Sequence, residues 1–295
     1  MNIAKVLEKP GLHFSFEFFP PKTKKSSDEL FRSIKELVPI KPAYVSVTYG
    51  AGGSARDLTH DLVLRLKEET NITVVAHLTT IGATRWEIKE ILERYAESGI
   101  ENIMALRGDP PKGSQGYIQP KNGFRYAAEL VTYIKKNFPQ MGVGVAGYVE
   151  GHPETPNRLK EMDYLKAKVD AGADYICTQL FFKNSDFYDY RERCAFAGIE
   201  IPIIAGIMPI ITRNGMKRLS ELALGARIPA KLLRAISRTS DDDGVERVGI
   251  QWSTQQAFDL FDRGVRGIHF YTLNKSKPTL KIYDALGIKP ENKPS

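Results

Sequence analysis

The sequence predicts a single domain of the (β/α)8 TIM-barrel class. Short apolar runs alternate with stretches of helical periodicity along the whole 295-residue chain, which gives eight successive strand–helix units. Glycine stands between a helix and the next strand at positions 99, 172, 198 and 264, where helices commonly end in the left-handed conformation. The connections are short and no linker rich in Pro, Gly or Ser interrupts them, which favours a closed barrel over an open doubly wound sheet.

The individual elements follow from apolar runs for strands and from amphipathic periodicity for helices. The predicted strands cover residues 12–18, 43–48, 73–78, 102–106, 142–148, 174–180, 201–207 and 266–271. The helices after the first six strands cover residues 26–38, 54–69, 84–98, 123–137, 156–171 and 185–197. Between strands 7 and 8 come extra helices at 213–224 and 230–237 and a long helix at 241–263, and the last helix covers 276–286. We therefore place the barrel in residues 1–288 and a polar tail in 289–295.

Three helix starts carry recognisable caps. Thr84 and Glu87 have the spacing of a capping box, and the stretch 26–29, SSDE, is predicted to open the first long helix. The stretch 241–244, DDDG, resembles part of a calcium loop but lacks the remaining ligands. It serves equally well as the acidic first turn of the long helix.

The composition indicates a globular protein of the cytoplasm. The chain is 42% hydrophobic and 26% charged, and it contains neither a long uninterrupted apolar segment nor a signal-peptide core. Its two cysteines, Cys177 and Cys194, lack CxxC spacing, which argues against disulfide frameworks, thiolate zinc sites and iron–sulfur clusters. We expect no membrane partner and a reducing compartment.

The formal net charge of +7 leaves three explanations open. Nucleic acid is one, but the basic residues are spread along the chain, and the densest run, Lys22, Lys24 and Lys25, is short. A solvated basic surface is favoured over nucleic-acid binding. The third explanation is that the protein binds anionic small molecules, which its positive electrostatic field attracts.

A ring of polar side chains is predicted at one mouth of the barrel. Side chains alternate between the two faces of a strand, so apolar sets that pack on the helices leave the other set facing inward. Barrel interiors favour Val, Ile and Leu, and unpartnered polar groups are costly there, so a ligand site is expected. The predicted inward residues near the carboxyl ends of the strands are Glu17, Thr48, His77, Arg107, Tyr148, Gln179 and Tyr271.

The fourth predicted strand ends in a charged pair, Arg107 and Asp109, across Gly108. Two prolines follow and prevent the strand from continuing. The carboxyl end of a barrel strand is a common place for ligand-binding groups. By itself the pair is equally compatible with an Arg–Asp ion pair that ties a loop. The neighbouring polar strand ends favour the site.

Other motifs carry less weight. Residues 142–147, GVGVAG, lie inside a predicted strand, whereas a dinucleotide fingerprint follows a strand and opens a helix. Residues 50–54, GAGGS, do join a strand to a helix, but a tight turn explains them more simply than a phosphate loop. For His77, His152 and His269, polar contacts or core packing are favoured over a metal site, because Ser15-Phe-Glu17 stands where a barrel metallohydrolase has His-x-His.

The strand-end motifs resemble those of methylenetetrahydrofolate reductases, flavoprotein barrel enzymes of one-carbon metabolism. Ten motifs follow in the same order over nearly the whole chain. They are FSFEFFPP at 14–21, VSVTYGA at 45–51, AHLT at 76–79, ALRGDP at 105–110, FRYAA at 124–128, GYVEGHPE at 147–154, KVDAGA at 168–173, TQLFF at 178–182, GIMP at 206–209 and HFYTLNK at 269–275.

The resemblance implies reduction of 5,10-methylenetetrahydrofolate to 5-methyltetrahydrofolate with FAD as cofactor and NADH or NADPH as electron donor. It also implies ping-pong hydride transfer through flavin N5. The chain is similar to the short bacterial type, which has no C-terminal regulatory domain and forms homodimers or homotetramers. Two other functions stay open: a flavin-binding subunit that needs a partner protein, and a folate one-carbon transferase barrel without net redox chemistry.

The resemblance implies that Glu17 is the general acid that protonates N10 of the folate. The neighbouring Phe14, Phe16, Phe18 and Phe19 are expected to surround its carboxyl group with apolar rings and to favour the protonated form. A core carboxylate paired with a basic residue is the alternative.

Further roles follow from family positions. Asp109 is expected beside the flavin ring and the folate pterin, where its charge would tune hydride donation. Arg107 and Lys168 are expected to face the FAD phosphates, and Gln179 and Lys275 to contact the substrate. The positions expected to wrap the flavin are Thr48, Tyr49, Ala51, His77, Gly108, Tyr126, Ala127, Tyr148 and His152.

The chain departs from the family pattern at three places. Val149 stands where a proline is usual, and Arg213 where an aromatic residue that stacks on folate or nicotinamide is common. Tyr164 and Ala167 stand where some relatives carry Asn and Arg. We therefore expect fewer contacts to the cofactor pyrophosphate and an altered stacking platform.

Overall fold

A closed barrel of eight parallel strands forms the centre of the protein, as predicted. The computed structural model describes residues 1–49, 53–109, 119–223 and 225–288. The strands pair in chain order, and β8 returns to pair with β1. They are β1 (His13–Phe18), β2 (Tyr44–Val47), β3 (Val74–Thr79), β4 (Asn102–Leu106), β5 (Gly142–Gly147), β6 (Tyr175–Thr178), β7 (Ile203–Ile207) and β8 (Gly267–Tyr271).

Helices cover the outside of the barrel, and one short helix precedes β1. Within the described residues none of them is long and apolar enough to cross a lipid bilayer. They are α1 (Ile3–Leu7), α2 (Lys24–Leu37), α3 (Gly53–Thr70), α4 (Arg85–Glu97), α5 (Ala127–Asn137), α6 (Arg158–Asp170), α7 (Asn184–Phe196), α8 (Arg213–Leu222), α9 (Ala230–Ser237), α10 (Asp242–Asp262) and α11 (Lys277–Leu286). The predicted polar tail, 289–295, lies outside the described residues.

Most helix ends follow the expected chemistry, but the starts of α2 and α5 differ, and α5 begins at Ala127 instead of the predicted position 123. Thr84 and Glu87 form the predicted capping box of α4, and Asp241 caps α10 by accepting from the Gly244 amide. The four predicted glycines all have positive φ: Gly99 +68°, Gly172 +106°, Gly198 +70° and Gly264 +66°. The predicted start of α2 at Ser26 is wrong. Thr23 caps a helix that begins at Lys24, and Ser26 completes the box from inside.

Apolar layers pack on both faces of the barrel strands. The larger one lies between the strands and the helices. The smaller one fills the barrel interior with Tyr44, Tyr175 and Cys177, and Ile3 and Leu7 of α1 close it from below. This helix was not predicted, because five residues are too few for a periodicity to appear. The base of the barrel is therefore packed, and the mouth is left for polar groups.

The predicted faces are wrong in β4. Met104 lies in the interior layer, whereas Ile103 and Ala105 belong to the outer layer. Alternation along β4 therefore puts Arg107 on the outward side with Ile103 and Ala105, whereas Arg107 was predicted to face inward. Both sets of β4 are apolar, so hydrophobicity alone could not distinguish the two faces.

Candidate active site

A cavity of about 520 Å³ opens beside the carboxyl ends of β4 and β5, between these strands and helices α5 and α6. Its volume is in the range of cofactor sites. A second depression, about 500 Å³, lies along α4. Eight of the predicted cofactor-binding residues line the cavity at the strand ends: Arg107, Gly108, Asp109, Tyr126, Ala127, Tyr148, His152 and Lys168.

Arg107 pairs with Glu154, which corrects the ion-pair alternative drawn from the sequence. Its Nη1 lies 2.7 Å from Glu154 Oε2. The hydrogen bond between them is the main cause that raises the pKa of Arg107 and lowers the pKa of Glu154. Asp109 adds a weaker field to Arg107 and remains exposed at the cavity edge. The two members of the predicted pair thus have separate surroundings.

The turn after β4 depends on Gly108. Its φ is +82°, a conformation that side chains with a Cβ rarely adopt. A Cβ placed on it would lie 2.8 Å from Ile81 Cγ2 and 2.9 Å from Thr79 Cβ. The loop after β3 therefore packs directly against this backbone, which directs Arg107 and Asp109 to the cavity.

Lys168 is a half-buried cation in the cavity wall contributed by α6. Its Nζ donates to the carbonyl of Ala146, 2.5 Å away, at the end of β5. Burial lowers the pKa of Lys168 to about 8, and the field of Glu161 opposes that shift. The cation would be stabilised by an anionic ligand in the cavity.

The loop between β5 and α6 forms one wall of the cavity. The Tyr148 and His152 rings meet edge to face, 4.6 Å apart. Glu161 Oε1 accepts from the His152 amide at 2.9 Å, and the His152 Nδ1 accepts from the Glu154 amide at 3.1 Å. Burial, followed by the field of Arg107, lowers the pKa of His152. This ring is therefore neutral near neutral pH.

Glu17 lies at the mouth between two imidazoles. Its Oε2 is 3.6 Å from His77 Nε2 and 3.8 Å from His269 Nε2, which is close but longer than a hydrogen bond. Burial lowers the pKa of His77, outweighing the opposing effect of Glu17. His269 donates to or accepts from Ser15 Oγ at 2.8 Å.

The expected apolar surroundings of Glu17 are wrong. Phe14, Phe16 and Phe18 alternate with Glu17 along β1 and lie in the outer layer, and Phe19 is 43% exposed. The period of two that set these rings on one face necessarily put Glu17 on the other.

His269 is the functional candidate that sequence reasoning missed. It is 1% exposed and reaches Glu17 because β8 pairs with β1, with Glu17 opposite Tyr271. The available signal was strand parity: Tyr271 is predicted to face inward, and His269, two residues earlier on the same strand, shares that face.

The other predicted site residues lie around the same mouth with different contacts. Gln179 Oε1 accepts from the Leu180 amide at 2.9 Å, and Lys275 is exposed after β8. Thr48 accepts through its carbonyl from Thr59, and Tyr49 packs against the outer apolar layer. Ala51 lies outside the described residues, as does most of the glycine-rich stretch 50–54.

The Arg213 side chain, which stands where an aromatic stacking residue is common, makes hydrogen bonds within the protein. Its Nη2 donates to the Thr239 carbonyl at 2.5 Å and contacts Thr239 Oγ1 at 3.0 Å, and its amide donates to Asp242. The guanidinium thus ties α8 to the start of α10. Within the described part of the chain, no group of three or more His, Cys, Asp or Glu is placed to hold a metal ion.

The fold and the site define a (β/α)8 barrel with a cation-lined ligand cavity and a carboxyl group between imidazoles at its mouth. Residues 2–287 match the family model for methylenetetrahydrofolate reductase. The chain belongs to the methylenetetrahydrofolate reductase family.

Named relatives agree with this assignment. A 5,10-methylenetetrahydrofolate reductase of Escherichia coli (strain K12) is 38% identical over 280 residues, which cover 95% of this chain and 92% of that protein. The methylenetetrahydrofolate reductase (NADH) 1 of Arabidopsis thaliana is 38% identical over 303 residues, covering 99% of this chain and 51% of the plant protein. The chain thus spans about half the length of its plant relatives.

Solved structures support the barrel. An uncharacterised protein from Clostridium thermocellum that binds two copies of 5-methyl-5,6,7,8-tetrahydrofolic acid superposes with a TM-score of 0.60 at 14% identity, over 96% of both chains. Dihydropteroate synthase from Xanthomonas albilineans gives a TM-score of 0.51 at 12% identity, covering 96% of this chain and 95% of that one. At such identities the likeness concerns the fold.

Proposed function

We propose that this protein reduces 5,10-methylenetetrahydrofolate to 5-methyltetrahydrofolate, with FAD as bound cofactor and NADH or NADPH as electron donor. The observation that carries the proposal is that a cation-lined cavity and Glu17 share one mouth of the barrel. Family membership supports the reaction, and the NADH in the name of the Arabidopsis relative supports that donor.

The cavity has the chemistry that FAD needs. Arg107 and Lys168 provide cations for phosphate groups, one as a planar fork and one as a point charge. Helix α5 begins in the cavity wall at Ala127, and the free amides at a helix N-terminus favour anions. Small residues such as Gly108 and Ala146 leave room for a flat ring. Bound there, FAD would supply the hydride acceptor and donor that link nicotinamide to folate.

The residues at the mouth would handle protons and orientation. Glu17 would protonate N10 of the folate and so open the methylene bridge. The neutral His77 imidazole beside it adds no fixed charge to that carboxyl group. Asp109 would contact the pterin, and Gln179 and Lys275 other parts of the substrate. Nicotinamide and folate would use the same face of the cavity in turn, which is a ping-pong order.

Stopped-flow spectroscopy of the two half-reactions tests the proposal. The purified protein is expected to carry flavin, to lose the oxidised flavin absorbance when mixed anaerobically with NADH or NADPH, and to recover it with methylenetetrahydrofolate. Glu17→Gln is expected to keep the first half-reaction and to slow the second by about 100-fold or more, the usual contribution of general acid catalysis. Glu29→Gln, an exposed carboxyl group on α2, is the matched control.

Each rival function predicts a different result. A protein that purifies colourless and binds no FAD would favour the non-redox folate transferase. A flavoprotein that neither nucleotide reduces unaided would favour the subunit that needs a partner. If Glu17→Gln retained both half-reactions, the assignment of the acid would be wrong. The homo-oligomeric state and the cytoplasmic location stay predictions.

A further inference from the structure

The segment between β7 and β8, which carries α8, α9 and α10, forms an insertion in the barrel. This insertion contacts the cavity wall through one buried carboxylate. Glu150, in the loop after β5, has a side chain that is only 5% exposed. Arg227, between α8 and α9, holds both carboxylate oxygens. Its amide donates to Oε2 at 3.0 Å and its Nε donates to Oε1 at 2.9 Å.

Two further contacts hold Arg227 and its segment in this position. Arg227 Nη2 donates to Asp186 Oδ2, 3.2 Å away in the first turn of α7. Gly225, with φ +96°, passes so close to the same loop that a Cβ on it would lie 2.7 Å from the Gly151 carbonyl oxygen. The β5–α6 loop, the insertion and the first turn of α7 therefore meet around Arg227.

The inner side of the same loop is the cavity wall. Tyr148, His152 and Glu154 line the cavity, immediately before and after Glu150. Glu161 of α6 holds the His152 amide from the opposite side. The loop is thus held by α6 on one side and by the insertion on the other, and its position depends on both. Arg227 itself does not line the cavity.

We propose that Arg227 is a positioning residue, through which the β7–β8 insertion holds the β5–α6 loop against the bound cofactor and slows its release. This inference rests on the proposed function only for the identity of the cofactor, FAD. Removing the Arg227 side chain would leave a buried carboxylate with only an amide partner, and the loop would move to hydrate it. Arg227 is 75% exposed, so the effect is expected to be moderate.

The release of FAD from diluted holoprotein, followed as a rise in flavin fluorescence, tests this directly. We expect Arg227→Ala and Glu150→Gln each to release FAD about three- to tenfold faster than the unchanged protein, the size of effect expected for one hydrogen-bonded ion pair that solvent partly screens. Arg227→Lys keeps the charge and should restore part of the difference. The double variant should be no faster than the faster single one, because both substitutions break the same contact.

Two comparisons separate positioning from general destabilisation. Arg234→Ala, an exposed arginine on α9, should release FAD at the unchanged rate. Gly225→Ala should accelerate release without altering any charge, since the added Cβ would push the insertion away from Gly151. If Arg227→Ala does not fold, Glu150→Gln and Arg227→Lys provide the same measurement.

The proposal is overturned if Arg227→Ala and Glu150→Gln release FAD at the rate of Arg234→Ala, or if their effects simply add. It is also overturned if the changes in release rate only follow the changes in melting temperature across all variants. A protein that binds no FAD before any substitution would instead refute the proposed function.

Discussion

Lys168 illustrates at the residue scale how burial prepares a group for a ligand. An amine on an exposed helix would titrate far above neutral pH, but here the cavity wall removes water from it and Ala146 offers only a carbonyl oxygen. Its burial therefore costs folding free energy, which is largest below about pH 8, where the amine is protonated in the fold, and which fades as the pH rises from there toward the ordinary pKa of lysine. An anion in the cavity would offset the cost.

The pH dependence of cofactor binding follows from this shift. A phosphate beside Lys168 binds the protonated amine better and raises its pKa, so affinity for FAD should be highest below about pH 8 and should fall as the pH rises through that value. Titration of FAD binding across this range is the measurement. Lys168→Met should bind more weakly and lose the dependence, whereas Lys160→Met, exposed on the same helix, should keep it. An unaltered pH profile in Lys168→Met would contradict the assignment.

At the scale of elements, several candidate site residues lie just after strands, where the backbone must turn sharply. The turn at Gly108 follows β4 and packs on the turn after β3, so one loop serves as the support of the next. The β5–α6 loop is supported in the same way by α6 and by the insertion. These loops are therefore positioned by tertiary contacts as well as by their own sequence.

Gly108→Ala tests the support between neighbouring turns. Gly198→Ala is its control, because Gly198 also has positive φ, +70°, but no atom within 4 Å of an added Cβ. Both variants should lose roughly 1–2 kcal/mol of stability from backbone strain. Gly108→Ala should lose about 1–3 kcal/mol more from the collision with Thr79 and Ile81. Urea unfolding measures both losses, and only Gly108→Ala should also accelerate FAD release.

At the scale of the whole molecule, the two ends of the barrel have different tasks. The base is closed by α1, with Ile3 and Leu7 buried against the interior layer. Asn102 ties this helix down by accepting from the Ile3 amide at 2.9 Å. The mouth instead collects the polar strand ends, with Glu17 and the cavity. Stability and ligand binding are thus separated along the barrel axis.

This separation predicts the behaviour of a base variant. Leu7→Ala should lower the free energy of unfolding by about 2–5 kcal/mol, the cost of a cavity in a packed core. It should leave the rate of FAD release unchanged under native conditions. Leu233→Ala, at a residue that is 42% exposed, should have little effect on either quantity. Faster FAD release from Leu7→Ala would show that base and mouth are coupled.

The barrel, its strand order and the mouth that carries the candidate site could all be predicted from the sequence. Strands and helices can be recognised from local hydrophobic periodicities of 2 and 3.6 residues. Eight alternating units with short connections then leave few possible topologies. Glu17 was predicted correctly to face the mouth because apolar and polar residues alternate along β1. His77 and Tyr148 were placed there by strand parity, since the valine and alanine sets of β3 and the valine set of β5 pack on the helices.

Only the tertiary structure decided which groups meet. Arg107 pairs with Glu154 instead of Asp109 because β4 and β5 are neighbours in the sheet. Glu17 lies beside His269 instead of phenylalanine rings because barrel closure pairs β8 with β1. The face of β4 was equally undetermined, since both of its sets are apolar. Periodicity is a local property and determined the elements. Contacts of individual charges depend on long-range closure and on loop support, which no local pattern encodes.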